Sequence, residues 1–476
     1  TKGHYSDKNN KTDKDTRSHL FTSTFIDLGF EDFISSSLQV NYEKISNDTY
    51  LKLFNFIQSS LYEEGPSTLT SKIELDLAHE DYDFGSSLIM YESLGGKNSD
   101  RYTYVLPDYS ISKNFFLSNF EGSFSASSAG NHSINNTNIS STLIDNSLSY
   151  SSLESYTNSG IVSDYNIDFR NSNTMSDNSL KYKNTPQSEF LSAYFFDVKF
   201  PLQKKTKDRQ NTLMPKLNFR ISPHDMKKNA NTSAIVNIGN VFSTNRIGMI
   251  ETGESLTLGV DFKKQKINQV SKIENQLKED STFKKEMITE IEDYIDFSLA
   301  TVFRFNKEEN IPLNSTINEK TSNIFGSANY KPNKNISLGY NFSLTNDLNT
   351  LEQNSISAEY LSENFSTTFN FSEEAGILGD SNVISNVTKL IDFKDYHNLS
   401  FSTRRNRKIN LTEYYDIIYQ YKNDCLVAEI KYRKDYYSDN DLIPKEELFF
   451  AITIVPFYTF SPDKMILQKD GGKKKQ

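Results

Sequence analysis

The residues in this chain that could make or break bonds are few and far apart. Its six histidines, His4, His19, His79, His132, His224 and His397, share no metal-ligand spacing. No phosphate-binding glycine loop and no nucleophile elbow is present. His397 with Ser400 comes nearest to a base beside a nucleophile, yet residues three apart on a strand point to opposite faces. The expectation is a protein that is not an enzyme and that takes no cofactor and no catalytic metal. The chemistry that remains is that of charge. Arg404, Arg405, Arg407 and Lys408 form a basic group able to hold phosphate by charge-assisted hydrogen bonds, or simply to solvate a loop. Glu429, Lys431 and Arg433 alternate along one stretch, and Asp296 and Arg304 lie on another. A net charge of -10 speaks against a nucleic-acid partner, whose electrostatic footprint is basic.

These charges have to be placed by strands. Roughly 22 stretches of about ten residues alternate apolar with polar or small side chains, and their connections alternate short and long. In residues 335–345, Ile336, Leu338, Tyr340, Phe342 and Leu344 fall on one face, and Ser337, Gly339, Asn341, Ser343 and Thr345 on the other. A composition only 36% hydrophobic conceals this pattern, because a membrane barrel needs grease on one face alone. No apolar run reaches the roughly 18 residues of a membrane helix. The 27 Tyr and 34 Phe, with no Trp, suit aromatic girdles built without indole. The expected fold is therefore all-β, a large antiparallel transmembrane β-barrel.

Energetics fixes the facing. A Lys or Arg turned to lipid near the midplane costs roughly 2–4 kcal/mol, so Glu429, Lys431 and Arg433 must look into the lumen while Leu426, Ala428, Ile430 and Tyr432 look out. The same reasoning puts Asp296, Ser298, Ala300 and Arg304 inside, with Ile295, Phe297, Leu299 and Phe303 outside. Counting back from a last strand at 446–456, short turns fall on the periplasmic side and the long segments 127–137, 169–186, 223–252 and 305–320 on the extracellular side. Residues 263–293 break this parity. Ile267, Val270, Ile273 and Leu277 at helical spacing suggest a periplasmic helical excursion there, and a mobile charged loop is the alternative. Lys204, Lys205, Lys207 and Arg209 belong to a periplasmic turn. The organisation expected is a polar segment at 1–17, the barrel at 18–457 with its insertion at 263–293, and a polar tail at 458–476. Residues 1–17 hold no apolar stretch of a signal peptide, so the expectation is that any export signal has been removed or lies upstream.

The strand 446–456 is unusual in being apolar on both faces: Leu448, Phe450, Ile452 and Ile454 alternate with Phe449, Ala451, Thr453 and Val455, and Pro456 removes a ladder donor at its end. A strand that opens to lipid, or one packed on a plug, would both read this way.

Four stretches carry a family resemblance. TRRNRKINLTEYYDIIYQYKNDCLVAEIKYRKDYYSDNDLIPKEELFFAITIVPF (403–457) resembles the C-terminal strands of the lipopolysaccharide-assembly barrel LptD in its alphaproteobacterial form. LMPKLNFRISP (213–223), NVFSTNRIGMIETGESLTLGVDF (240–262) and DFSLATVFRF (296–305) resemble that family's middle-barrel segments in the same order. Residues 34–200 match by strand pattern alone. The resemblance implies an integral protein of the bacterial outer membrane, with a barrel of roughly 26 strands that inserts lipopolysaccharide into the outer leaflet. It further implies an N-terminal periplasmic domain and first strands beyond the sequence given, and a lateral seam formed by Leu448, Phe450, Ile452, Ile454 and Pro456. Polar passage would follow Asp296, Arg304, Glu429, Lys431 and Arg433, and phosphate contact would fall to Arg404, Arg405, Arg407 and Lys408. Cys425 resembles the family's C-terminal cysteine site, whose disulfide ties barrel to periplasmic domain; many members have two adjacent cysteines where this chain has Asp424-Cys425. The implied partners are lipopolysaccharide, a plug lipoprotein of the LptE kind, a periplasmic bridge protein of the LptA kind, the barrel-assembly machinery and outer-membrane lipid. A porin-like diffusion channel, which should carry an inward constriction loop, and a plugged barrel receptor are the competing classes.

Overall fold

In the computed structural model the described residues are 18–46, 48, 67–94, 101–135, 138–179, 182–226, 234–273, 285–394, 396–435, 445–454, 458–460 and 465–466. The chain runs strand after strand: β1 (His19–Asp27), β2 (Ser35–Ile45), β3 (Thr68–Ala78), β4 (Asp83–Ser93), β5 (Tyr102–Phe115), β6 (Gly122–Asn135), β7 (Ile139–Ser152), β8 (Ser155–Tyr156), β9 (Val162–Asp177), β10 (Gln187–Lys199), β11 (Leu202–Lys205), β12 (Arg209–Ser222), β13 (Gly253–Ile273), β14 (Lys285–Arg304), β15 (Thr321–Asn333), β16 (Ile336–Leu344), β17 (Leu351–Leu361), β18 (Phe365–Glu374), β19 (Ser381–Leu390), β20 (His397–Asn406), β21 (Leu411–Lys422), β22 (Leu426–Asp435), β23 (Lys445–Ile454), β24 (Tyr458–Phe460) and β25 (Met465–Ile466). Chain neighbours pair antiparallel in one sheet, an up-and-down meander of the transmembrane-barrel type that the alternation predicted.

The described strands fall into two compact units, one drawn from residues within 18–153 and 164–194, the other from residues within 154–163, 195–435 and 445–466. In each, the register gathers apolar residues on one face. Ile73 pairs with Leu88 and Leu148 with Phe169 in the first unit. In the second, Ile356 faces Tyr340 and Phe371, Ile417 faces Phe401 and Tyr432, and Ile430 faces Tyr419 and Phe450. Leu338, Ile356, Phe369, Ile417, Ile430 and Phe450 are 38–43% exposed, so none of the described residues covers this face. A stripe of that extent would aggregate in water and is what hydrocarbon requires. Packing on it is close: a Cβ on Gly326 would lie 2.3 Å from Phe342 Cζ, so only glycine lets that ring lie across the neighbouring strand.

The opposite face is bonded side chain to side chain. Ser127 meets Ser147 at 2.6 Å and Ser133 meets Ser141 at 2.7 Å in the first unit. Asn329 donates to Asp296 at 2.9 Å in the second. These are short polar side chains whose hydrogen-bonding capacity is used across strands rather than within a turn.

The insertion at 263–293 corrects the sequence reading. Within it, residues 263–273 and 285–293 are neither helix nor mobile loop but extended strand, paired from Lys263↔Asp296 to Ile273↔Lys285 with a bulge between Lys264 and Gln265. Partner pairing here overrides the helix propensity of Lys, Glu and Gln. Leu277 lies outside the described residues. The strand 446–456 is likewise not the last to pair: β24 and β25 continue the ladder at Ile452↔Phe460 and Leu448↔Met465.

Candidate functional site

The polar face of β12–β15 is where the second unit builds a buried site. Along β12 the outward residues are Leu213, Leu217 and Phe219, which leaves Lys216, Asn218 and Arg220 on the other side. By register Arg220 joins Ser255, Thr257 and Gly259 of β13, and these join Arg304, Val302 and Ala300 of β14. Ala300 and Arg304, expected to share a face, do so here by register.

The two long connections on either side of β13–β14 fold back over that face instead of standing clear of it. Met226, Ala234, Val236, Val241 and Ile247 from one, and Ile311 and Ile317 from the other, pack with Ala300, Val302 and Phe325 into a single apolar cluster. Phe242 lies over Gly259, where an added Cβ would meet its ring at 2.6 Å, and Lys216 sits 5.4 Å above the same ring. A side chain at position 259 would lift the connection off the sheet. The short 3₁₀ turn Leu313–Ser315 reverses the second connection, with Thr316 at φ 60° closing it.

Glu251 is the electrostatic centre, with 0% exposure. Its carboxylate accepts from Arg246 Nε at 2.8 Å and from Arg304 Nη1 at 3.1 Å, and it pairs with Arg220. Arg246 also donates to Val241 O and Thr257 Oγ1, both at 3.0 Å, and to Ser255 Oγ at 3.1 Å. Arg220 donates to Ser243 O and Thr244 O and lies over the Phe195 ring at 4.6 Å. The three arginines are 2–5% exposed. Burial, with Arg220 and Arg304 close by, pushes the Arg246 guanidinium well below its ordinary value. One carboxylate thus gathers three cations from a strand, a connection and a second strand. A second ionic group, in the first unit, joins Lys44 and Arg101 to Glu92 at 2.9 Å each and Arg101 to Asp48 at 2.6 Å, two cations against two carboxylates.

The other predicted residues lie elsewhere in the unit. Glu429 and Arg433 share the polar face of β22, where Gln420 donates to Glu429 at 3.2 Å and Arg433 approaches Asp416 at 3.7 Å and the Tyr414 ring at 5.6 Å. Lys431 is on the same face, opposite Ile418 and Phe449. Asp296 accepts from Asn329 there as well. The basic group is divided: Arg404 pairs with Glu413 at 2.8 Å, Lys408 pairs with Asp380, and Arg405 donates to Asn410 at 2.5 Å, while the Arg407 backbone N–H donates to Asn382 O. Leu448, Phe450, Ile452 and Ile454 share the apolar face with Ile430 and Tyr432, while Glu447, Phe449 and Ala451 are 4–7% exposed on the other. Pro456 lies outside the described residues. Cys425 is an exposed free thiol in the turn between β21 and β22, its N–H donating to Asn423 Oδ1. His397 is bonded to the Tyr419 hydroxyl at 2.6 Å, a structural contact across strands.

Sequence reasoning missed Arg220, Arg246 and Glu251. The signal lay in Val236, Ile238, Val241, Ile247 and Met249, too many apolar residues for a connection that stays in water.

No family model and no curated protein matches this chain. Among solved structures, a mutant ferric enterobactin receptor (PfeA) from Pseudomonas aeruginosa is similar at 8% identity, covering 82% of this chain and 71% of the receptor, with a TM-score of 0.36. Another PfeA mutant, in complex with enterobactin, covers 92% and 73% at 8% identity and a TM-score of 0.35. The FrpB iron transporter from Neisseria meningitidis covers 89% and 81% at 7% identity and a TM-score of 0.33.

Proposed function

We propose that this chain is an outer-membrane translocon that inserts lipopolysaccharide into the outer leaflet. One observation carries the reading: the three middle segments whose residues resemble the lipopolysaccharide-assembly barrels, 213–223, 240–262 and 296–305, meet in space at Glu251. Arg220 comes from the first, Arg246 and Glu251 from the second, and Arg304 from the third. These segments lie on three successive strands and the connection between them, and the residues that carry the resemblance include those that meet at Glu251. The physical task fits the two faces. A phosphorylated glycolipid cannot carry its sugars through hydrocarbon, so it needs a hydrogen-bonding wall inside and an apolar wall outside. In this reading Glu429, Lys431 and Arg433 line the passage, β23 together with the short β24 and β25 paired to its edge lies toward the exit, and a plug lipoprotein and a periplasmic bridge protein complete the path. Cys425, exposed at a periplasmic turn, is free to bond a thiol of a periplasmic domain.

The test is site-specific photocrosslinking in the full-length protein, with probes at Lys431 and Leu448 scored for covalent lipopolysaccharide. ATP-dependent adducts at both positions are the expected result. A second reading, a porin-like channel, is favoured by the connections folded over the polar face of β12–β15, which would narrow a pore. Absence of adducts together with unselective conductance of small solutes would establish that reading instead.

A further inference from the structure

The apolar face of β11–β15 changes character abruptly at one margin. Register puts Leu256, Leu258, Val260, Phe262, Lys264 and Lys266 of β13 on that face, four apolar residues followed directly by two cations. From Leu256 to Lys264 is about 26 Å of strand at roughly 3.3 Å per residue, which the tilt of a barrel strand brings within the roughly 25 Å of an apolar band. The two lysines therefore stand at the edge of the hydrocarbon, where a cation is tolerated. Lys204 of β11 joins the same row through Asn211↔Lys264, and Arg209 of β12 pairs in register with Lys266.

Aromatic rings complete the margin. Tyr294, left over at the bulge between β13 and β14, has the Lys264 ammonium 5.6 Å and the Lys266 ammonium 4.2 Å from its ring centre. It meets Tyr330 edge-on at 5.3 Å, with the two hydroxyls 3.4 Å apart. The positive charge is not cancelled on the spot. Among the described residues Lys204, Lys264 and Lys266 have no carboxylate partner, and Lys266 donates to Pro332 O at 2.8 Å. The acids alongside are engaged by other cations: Asp208 lies 3.3 Å from Arg209, and Glu292 lies 3.0 Å from Lys334. Nor does the same pattern run round the wall. At the corresponding margin the outward residues of β16–β21 are Ile336, Tyr360, Phe365, Leu390 and Tyr421, with no lysine or arginine.

We propose that this margin is a binding site for an anionic phospholipid, its phosphate held by Lys204, Lys264, Lys266 and the paired tyrosine hydroxyls and its acyl chains lying on the row Leu213, Phe262 and Phe297. Ammonium and hydroxyl groups donate to the phosphate oxygens, and a basic group beside a membrane draws anionic lipid. The cations adjoin the lipid-facing side chains without a step between them, and Leu213 is itself 39% exposed, so the site offers a surface to the chains as well as to the charge. Loop parity sets this margin on the periplasmic side, where the leaflet is phospholipid; that placement rests on the reading above.

The test is native mass spectrometry of the full-length protein in detergent, titrated with dioleoyl phosphatidylglycerol and, separately, with dioleoyl phosphatidylcholine. Phosphatidylglycerol should be retained at least tenfold more tightly, and Lys264→Gln with Lys266→Gln should abolish the difference. Lys264→Arg with Lys266→Arg should preserve it, which separates lost charge from a damaged fold, and Lys307→Gln with Lys320→Gln at the opposite margin should leave it unchanged. Equal retention of the two lipids, or equal loss in the glutamine variants of both margins, would overturn the site. Displacement of the lipid by millimolar inorganic phosphate would reduce it to an ion site, and tighter binding of lipopolysaccharide through the same lysines would overturn the choice of lipid. Lipopolysaccharide crosslinking at Lys431 is read independently of all these outcomes, so failure here and failure of the translocon reading are separable.

Discussion

Replacing Glu251 with glutamine keeps the shape of the buried ionic cluster and removes the negative charge at its centre. Arg220, Arg246 and Arg304, at 2–5% exposure, would then face one another without the carboxylate that joins them. Removing one partner of a buried pair ordinarily costs about 3–5 kcal/mol. Released by local opening of the connection 234–252 rather than by unfolding of the sheet, that cost corresponds to amide exchange about a hundred to a few thousand times faster in this segment, at 1.36 kcal/mol for each tenfold. Exchange in β16–β22 should not change. The control is Arg304→Met, which leaves two cations on one carboxylate and so relieves repulsion while it loses a bond. It should accelerate exchange less than Glu251→Gln. Hydrogen exchange read by mass spectrometry, segment by segment, decides the matter. Unchanged exchange at 234–252, or an Arg304→Met effect equal to that of Glu251→Gln, would refute the account of Glu251 as the group that holds the connection down.

Other expectations follow from the same geometry. Gly259→Ala should displace Phe242 and loosen the connection by about 1–3 kcal/mol, with Phe242→Leu on that background recovering part of the loss; a neutral effect of Gly259→Ala would show that the ring does not rest there. Ile430→Lys on the apolar face should lower folding stability in lipid by roughly 2–4 kcal/mol, whereas Ser385→Lys on the polar face of β19 should be nearly silent, and equal effects would overturn the assignment of faces. Asp347, in the turn after β16, accepts from Thr345 Oγ1 and from Asn349 N and Nδ2, which holds its carboxyl below the ordinary range. Its contribution to turn order should be complete above the usual aspartate value of about 3.9 and fade as pH falls through the lowered midpoint; a carbon-13 titration of this carboxyl with a midpoint at or above about 3.9 would contradict it.

How far the sequence could be read depends on the range of the forces involved. Strand faces were legible because lipid and lumen impose opposite polarity on successive residues, a signal visible from Ile336 to Leu344 without knowing any neighbour. By register Asp296, Arg304, Glu429 and Arg433 lie on the face opposite Ile295, Phe303, Ile430 and Tyr432, the alternation that the argument used. Residues 263–273 and 285–293 were misread because lysine, glutamate and glutamine favour helices locally, while their extended state depends on pairing between strands that only the folded chain brings together. Glu251 stayed hidden for a related reason. Its meaning comes from Arg220 and Arg304, neither near it in the chain, and nothing at position 251 distinguishes a buried carboxylate from one in water.

The cluster around Glu251 also bears on assembly order. In an up-and-down meander almost every contact joins sequence neighbours, so hairpins can be added in turn with little loop-closure cost. The Arg220–Glu251–Arg304 contact spans three successive strands and can form only when β12, β13 and β14 are already side by side. Its three cations have to be withdrawn from water in the same event, since each is costly to bury without the carboxylate. Closure of the connection over the polar face is thus a late, cooperative step whose completion reports that the middle of the wall has been laid down in the correct register.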